Sequence, residues 1–259
     1  MIKSFEVQLK RMAVCVIGTG AVCVAYAKTS QDYVKNGLVA MWDGHENAGV
    51  FNHRADATTW VDLVNGLEIP IPDWVTIEDH SLYSATVPGT TKSNIPSLSS
   101  IKGLSSSDTA WTIEVVQQGF DWTFTDSPGN LQYVFSTPRG SLGYRRFEAN
   151  GFYFYGPCDA TQISVQNWAH KTAKVKDRHT MSAKLGANKS TCSIWMDGVK
   201  DTVDYNGSYT AARPSVFKFF ANSRMDMRVF AIRVYNRALT QEEITANRAV
   251  DVARFDNGD

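Results

Sequence analysis

The stretch WDGHENAG places Asp43, His45, Glu46 and Asn47 within five consecutive positions of the chain. An oxygen-rich turn of this kind suits calcium, which takes six or more oxygen ligands from carboxylates, amides and carbonyls. Asp43 and Asn47 are the candidate ligands, and calcium is the one cofactor these residue types suggest. A second chemistry is sugar recognition, in which aromatic faces lie over sugar C–H groups with polar side chains beside them. Trp122, Tyr144, Arg145 and Trp168, with Phe124 nearby, are expected in or next to loops and are the candidate ligand-binding residues. Any one of these rings could equally serve a core, which also consumes aromatics.

Catalytic constellations are harder to find. Hydrolysis of a glycosidic bond commonly uses two carboxyl groups flanking it. On one strand these would alternate, because side chains return to the same face every second residue. No expected strand carries Glu-x-Asp or Glu-x-x-x-Glu; Glu114 stands alone and is read as facing solvent. The five histidines are scattered, no Ser/His/Asp set announces itself, and His179 is read as structural. Gly18-Thr19-Gly20 lies in an apolar run and not in a phosphate loop, and no Cys/His spacing suggests zinc. The chain is therefore expected to be non-enzymatic.

These residues need elements to hold them. The 26 basic residues balance the 26 acidic ones, so no global field draws the chain to nucleic acid or to an anionic membrane. Lys3, Lys10 and Arg11 precede the apolar run MAVCVIGTGAVCVAYA, which ends with small residues at Ala25 and Ala27. That is the pattern of an export leader over residues 1–27, cleaved after Ala27, and it implies a secreted or cell-surface protein. The alternative is a retained anchor, for which the run is short and is weakened by Gly18 and Gly20. Cys15 and Cys23 would leave with the leader, and Cys158 and Cys192 would remain. An oxidising compartment permits a bridge between them worth roughly 3–4 kcal/mol, while two free thiols fit the sequence as well. Asn188-Lys189-Ser190 and Asn206-Gly207-Ser208 match the glycosylation acceptor pattern.

Residues 28–36 read as a polar linker, 37–255 as one domain and 256–259 as a tail. Short apolar runs separated by turn residues predict strands at 37–43, 110–118, 131–137, 151–156, 178–185, 216–222 and 227–236. STCSIWMDGVKDTV predicts a hairpin turning at Asp197-Gly198. Residues 78–108 read as a long loop with one or two short edge strands. Helical signals wait until Thr240. Thr240 and Glu243 form a capping box, Leu239 and Ile244 a hydrophobic staple, so a helix of about ten residues begins there. Many strands without intervening helices predict an antiparallel sandwich or barrel. The closing helix is expected to be a structural lid over apolar surface, with Val252 and Phe255 returning to the sheet.

The chain from Gly37 to Phe255 resembles the LamG-like, concanavalin A-like jelly-roll domains. The motifs that carry the resemblance, in order, are GLVAMWDG, TTWVDLVNG (58–66), WTIEVVQQ, the hairpin around IWMDGVKDTV and the closing IRVYNRALTQEEITAN. The resemblance implies an all-β antiparallel sandwich with one short C-terminal helix. It adds Asp62 to the candidate metal ligands, since many relatives pair an aspartate in that loop with a second in the closing strand. The matching closing-strand position here is Phe230. The implied function is an exported, non-enzymatic recognition or adhesion domain binding a glycan or a cell-surface or matrix protein. Alternatives are an enzyme of the same fold with an unrecognised site, and a structural module of a surface particle.

Overall fold

The computed structural model describes residues 12–16, 22–26, 28–84, 97–104, 110–119, 131–137, 140–145, 177–185, 191–200, 205–206, 217–219 and 226–256. Its strands are β1 (Met12–Val16), β2 (Val22–Tyr26), β3 (Leu38–Asp43), β4 (Thr59–Val61), β5 (Glu68–Pro70), β6 (Val75–Glu78), β7 (Ser81–Ser84) and β8 (Ser97–Leu98). There follow β9 (Trp111–Gly119), β10 (Leu131–Thr137), β11 (Gly140–Arg145), β12 (Arg178–Leu185), β13 (Thr191–Met196) and β14 (Val199–Lys200). The last are β15 (Tyr205–Asn206), β16 (Phe217–Phe219) and β17 (Met227–Tyr235), before one helix, α1 (Gln241–Asp251).

All strand pairings are antiparallel. The larger sheet runs β14-β13-β12-β9-β17-β7-β6, with β3 also on β17 and β15 on β13. A four-stranded sheet runs β11-β10-β16-β8, and β4-β5 and β1-β2 form separate hairpins. Phe219 of β16 meets Trp42 of β3 edge-on, with ring centroids 5.2 Å apart, and both belong to one apolar core. The molecule is thus an antiparallel β-sandwich, as its strand pattern predicts.

The period of the strands explains the layering. On β9, Trp111, Ile113 and Val115 enter the core between the sheets, while Thr112, Glu114 and Val116 are buried on the opposite face. On β17, Met227, Val229, Ile232 and Val234 face that core, and Ala231, Arg233 and Tyr235 face away. Phe230 breaks the alternation. The register with β9 shifts between Val229 and Ala231, so Phe230 is the extra residue of a bulge and joins Ala231 on the outer face.

That outer face is covered by the C-terminal segment. Thr240 Oγ1 accepts from the Glu243 amide, and the Glu243 carboxylate accepts from the Thr240 amide, closing the expected capping box. Leu239 and Ile244 pack with Trp195 and Tyr235, as the staple predicts. After α1 a π-helical turn, Val252–Asp256, brings Phe255 onto Phe230 and Val116. Two features differ from expectation. The surface under α1 is largely polar rather than apolar, and the segment read as a polar linker is packed, with Tyr33 only 2% exposed. Among the described residues no helix is long and apolar enough to cross a membrane.

Candidate functional site

The Asp43–Asn47 turn sits at the end of β3. Asp43 caps the 3-10 turn Gly44–Glu46, its Oδ1 accepting from the His45 amide at 2.9 Å and from Arg254 Nη2 at 2.9 Å. Glu46 Oε2 accepts from Ser30 Oγ and from the Phe51 amide, both at 2.9 Å. Asn47 spends its amide on Arg54, accepting from the backbone N–H and donating to the carbonyl, each at 2.8 Å. Asp62 accepts from the amides of Met41 (2.7 Å), Val64 (3.0 Å) and Asn65 (2.8 Å), which is a loop-capping role. These donors do not fit the calcium site anticipated from Asp43, Asn47 and Asp62. Asp43 Oδ1, Asn47 Oδ1 and both Asp62 oxygens already serve backbone amides and an arginine. Asp43 Oδ2 alone of these is left without a partner among the described residues, and a cation there would compete with the Arg254 guanidinium. Among the described residues no three His, Cys, Asp or Glu side chains form a group that could hold an ion.

Burial pushes the Asp43 carboxyl up to about 6, against the pull of Arg254. Beside it, the His45 ring stacks on His80 with centroids 4.2 Å apart, and His53 meets His80 edge-on at 5.0 Å. Burial, then His80 and Arg254, lower the His45 pKa to about 4. The cluster is positioned by the β6–β7 hairpin, whose two turn residues Asp79 and His80 have φ of 45° and 55°. The His80 carbonyl comes so close to Gly44 that a Cβ there would lie 1.8 Å from its oxygen.

Beneath α1 lies a fully buried ionic network that overturns the expectation for Glu114. Expected to face solvent, Glu114 is 0% exposed, because the outer face of β9 is roofed by the helix. Arg233 Nε donates to Glu114 Oε2 at 2.9 Å, and its Nη1 and Nη2 fork onto Asp251 at 2.7 and 2.8 Å. Asn247 Nδ2 donates to Glu114 Oε2 (2.7 Å) and to the Tyr235 hydroxyl (2.9 Å), while Ser182 Oγ donates to Glu114 Oε1 (3.1 Å). The Tyr33 and Thr180 hydroxyls each donate to Asp251 at 2.7 Å. Burial raises the Glu114 pKa, with Arg233 opposing. Burial works against the Arg233 charge too, but Asp251 and Glu114 outweigh it and hold its pKa well above the ordinary value. With no solvent access, this network is a structural tie between sheet, helix and N-terminal arm. Of its members only Glu114 stands out in the sequence, although two further signals of the network are present there. Arg233 interrupts the apolar run FAIRVY, and Asn247 and Asp251 lie four residues apart on one helical face.

Next to the Asp43 turn, the arm 28–36 and the loop 62–66 enclose a cleft of about 270 Å³. Ser30, Gln31 and Lys35 line it from the arm, and Leu38, Met41, Leu63 and Val64 form its apolar side. Lys35 Nζ donates to the Ser30 carbonyl at 2.6 Å. Partial burial lowers its pKa, opposed by Glu46. Val64 is 41% exposed.

The remaining anticipated residues are placed as follows. His179 Nδ1 lies 2.7 Å from Asp197 Oδ2, a structural pairing within the β12–β13 hairpin. Burial opposes ionisation of Asp197, but His179 and Arg248 hold its carboxyl below the usual range. Trp122, Phe124, Trp168 and Cys158 lie outside the described residues, as does strand 151–156. Tyr144 and Arg145 fall in β11 and Cys192 in β13, and their side chains are likewise outside the description.

No protein-family model matches the chain, and neither does any curated protein. Solved structures do. Trypanosoma rangeli sialidase in complex with sialic acid is 16% identical with a TM-score of 0.56, covering 97% of this chain and 38% of its own. The binding domain of Paraclostridial Mosquitocidal Protein 1 is 11% identical (TM-score 0.54), covering 82% of this chain and 52% of that one. The binding domain of Botulinum Neurotoxin DC in complex with SialylT is also 11% identical (TM-score 0.55), with 85% and 52% covered. At these identities the likeness carries the sandwich fold alone. The chain spans 38% of the sialidase's length and about half of each binding domain's. The expectation of a non-enzymatic chain is corrected at the level of the fold: the same sandwich is found in part of a sialidase, an enzyme, so the architecture gives no ground for excluding enzymes. The missing carboxylate pair was too narrow a criterion, because some glycosidases use a tyrosine nucleophile instead.

Proposed function

We propose that the chain is a glycan-binding β-sandwich of the LamG-like, concanavalin A-like kind, directed to sialylated glycans of a cell surface. The observation that supports this most is the shared fold of a sialidase in complex with sialic acid and a toxin binding domain in complex with SialylT. Neutral charge balance over the whole chain agrees with a carbohydrate partner rather than nucleic acid. The basic, apolar and small-residue order of residues 1–27 supports export to a compartment where such glycans occur. A glycan array probed with the full chain, with released monosaccharide monitored in parallel, tests the proposal. Retention of sialylated spots over their desialylated counterparts is expected. Uniform background across the array would overturn it, and free sialic acid in the wash would identify bond cleavage as well as binding.

A further inference from the structure

We propose that the cleft between the 28–36 arm and the 62–66 loop is the subsite that receives one acidic sugar residue, Lys35 meeting its carboxylate and Val64 and Leu63 its apolar face. The proposal deepens the glycan-binding function above and rests on it.

Size comes first. A cavity of about 270 Å³ lies just under the range of drug-sized ligand pockets, so it suits a single ring and not an extended oligosaccharide. Its walls are chemically divided. One side offers Leu38, Leu63 and Val64, backed by the buried Met41. The other is lined by Ser30, whose hydroxyl is already given to Glu46, and by Gln31 and Lys35, which bring an amide and an ammonium. An apolar wall facing a few convergent polar groups is the composition of a small-molecule site.

Charge then selects among ligands. The neighbouring cations are matched by acids: Lys28 pairs with Asp32 at 3.2 Å, and Arg254 with Asp43 at 2.9 Å. Glu46, the nearest buried acid, is engaged by Ser30 and the Phe51 amide. Lys35 makes no ion pair among the described residues, although Glu46 and Asp32 act on it through space; its one hydrogen bond there goes to a neutral carbonyl, leaving ammonium protons for an anion. Among the described residues Gln31 Nε2 makes one long 3.4 Å bond, to Ser30 Oγ, so a second donor stands beside the ammonium for a carboxylate or hydroxyl oxygen. The site is also stiff. The Thr29–Asp32 capping box fixes the arm, Asp62 fixes the facing loop, and the Tyr33–Asp251 bond ties the arm to the buried network. Preorganised walls reduce the ordering cost of binding.

The test is titration of the full chain with methyl α-N-acetylneuraminide, with methyl β-galactoside as the neutral probe, followed by NMR. The expected result is saturable binding of the acidic sugar, weakened by added salt, with shifts at Gln31, Lys35 and Val64. Lys35→Gln should weaken it about tenfold, the scale of one hydrogen bond to a charged group. Because Lys35→Gln also removes the arm's bond to Ser30, Val64→Asp provides an independent variant. It puts a like charge at an exposed position and should weaken the acidic sugar about tenfold too. Equal affinity of wild type and both variants, with sialylated spots still retained on the array, would overturn the cleft alone. Absence of saturable binding by wild type on both array and titration would overturn the cleft together with the glycan-binding function.

Discussion

Replacing Arg233 by methionine leaves Glu114 and Asp251 buried without the cation they share. Removing one partner of a buried pair costs about 3–5 kcal/mol, so the midpoint of urea unfolding should fall steeply, whereas Arg54→Gln, at an exposed pair, should change it little. The Asp43–His45 pair predicts opposed pH effects. His45 is depressed from 6.5 to about 4, so its contribution to stability is present above pH 6.5 and is lost as pH falls through 4. Asp43 is raised from 3.8 to about 6, so its contribution is present below pH 3.8 and is lost as pH rises through 6. The two nearly cancel in the wild type between pH 6 and 4. His45→Gln should expose the Asp43 term, making the protein more stable by about 2 kcal/mol on acidification across that window, since Asp43 is fully buried. A thermal-melt series from pH 6 to 4 checks it, and a falling melting temperature in the variant would refute the assignment.

Elements show where local signals sufficed and where they did not. The capping box at Thr240 and the Asp197–Gly198 turn were legible because each is set by residues within three positions. Both central turn residues have positive φ, 53° and 79°, as a type I′ hairpin requires. The β6–β7 hairpin turns where residues 78–108 read as a long loop with one or two short edge strands, because Asp79-His80 lacks the glycine that usually marks such a turn. Its position depends on Gly44 instead, a contact between residues far apart in sequence. Gly44→Ala would press a methyl group into the His80 backbone, which no rotamer can relieve, and should cost at least about 1–3 kcal/mol in chemical denaturation. The burial of Glu114 is hidden from the sequence for a related reason. Strand alternation tells that a side chain leaves the core, but not whether a later helix waits on the other face. The Phe230 bulge likewise depends on pairing with β9 and leaves no mark in the sequence of β17 itself.

At the scale of the whole molecule, three segments distant in sequence converge on one corner: the arm through Tyr33, the β3 turn through Asp43 and the C-terminal turn through Arg254. The arm is therefore part of the folded unit, and the cleft it encloses depends on that convergence. Candidate sugar-facing aromatics could be named from the sequence, but the cleft could not, because its two walls come from segments that are apolar or polar for unremarkable local reasons. The proposed recognition of sialylated glycans by this sandwich is tested most directly by calorimetric titration of the full chain with sialyllactose and with lactose. Saturable heat with sialyllactose, diminished by salt and at least about tenfold weaker with lactose, is the predicted result. Equal affinity for the two sugars, or heat with neither, would contradict it.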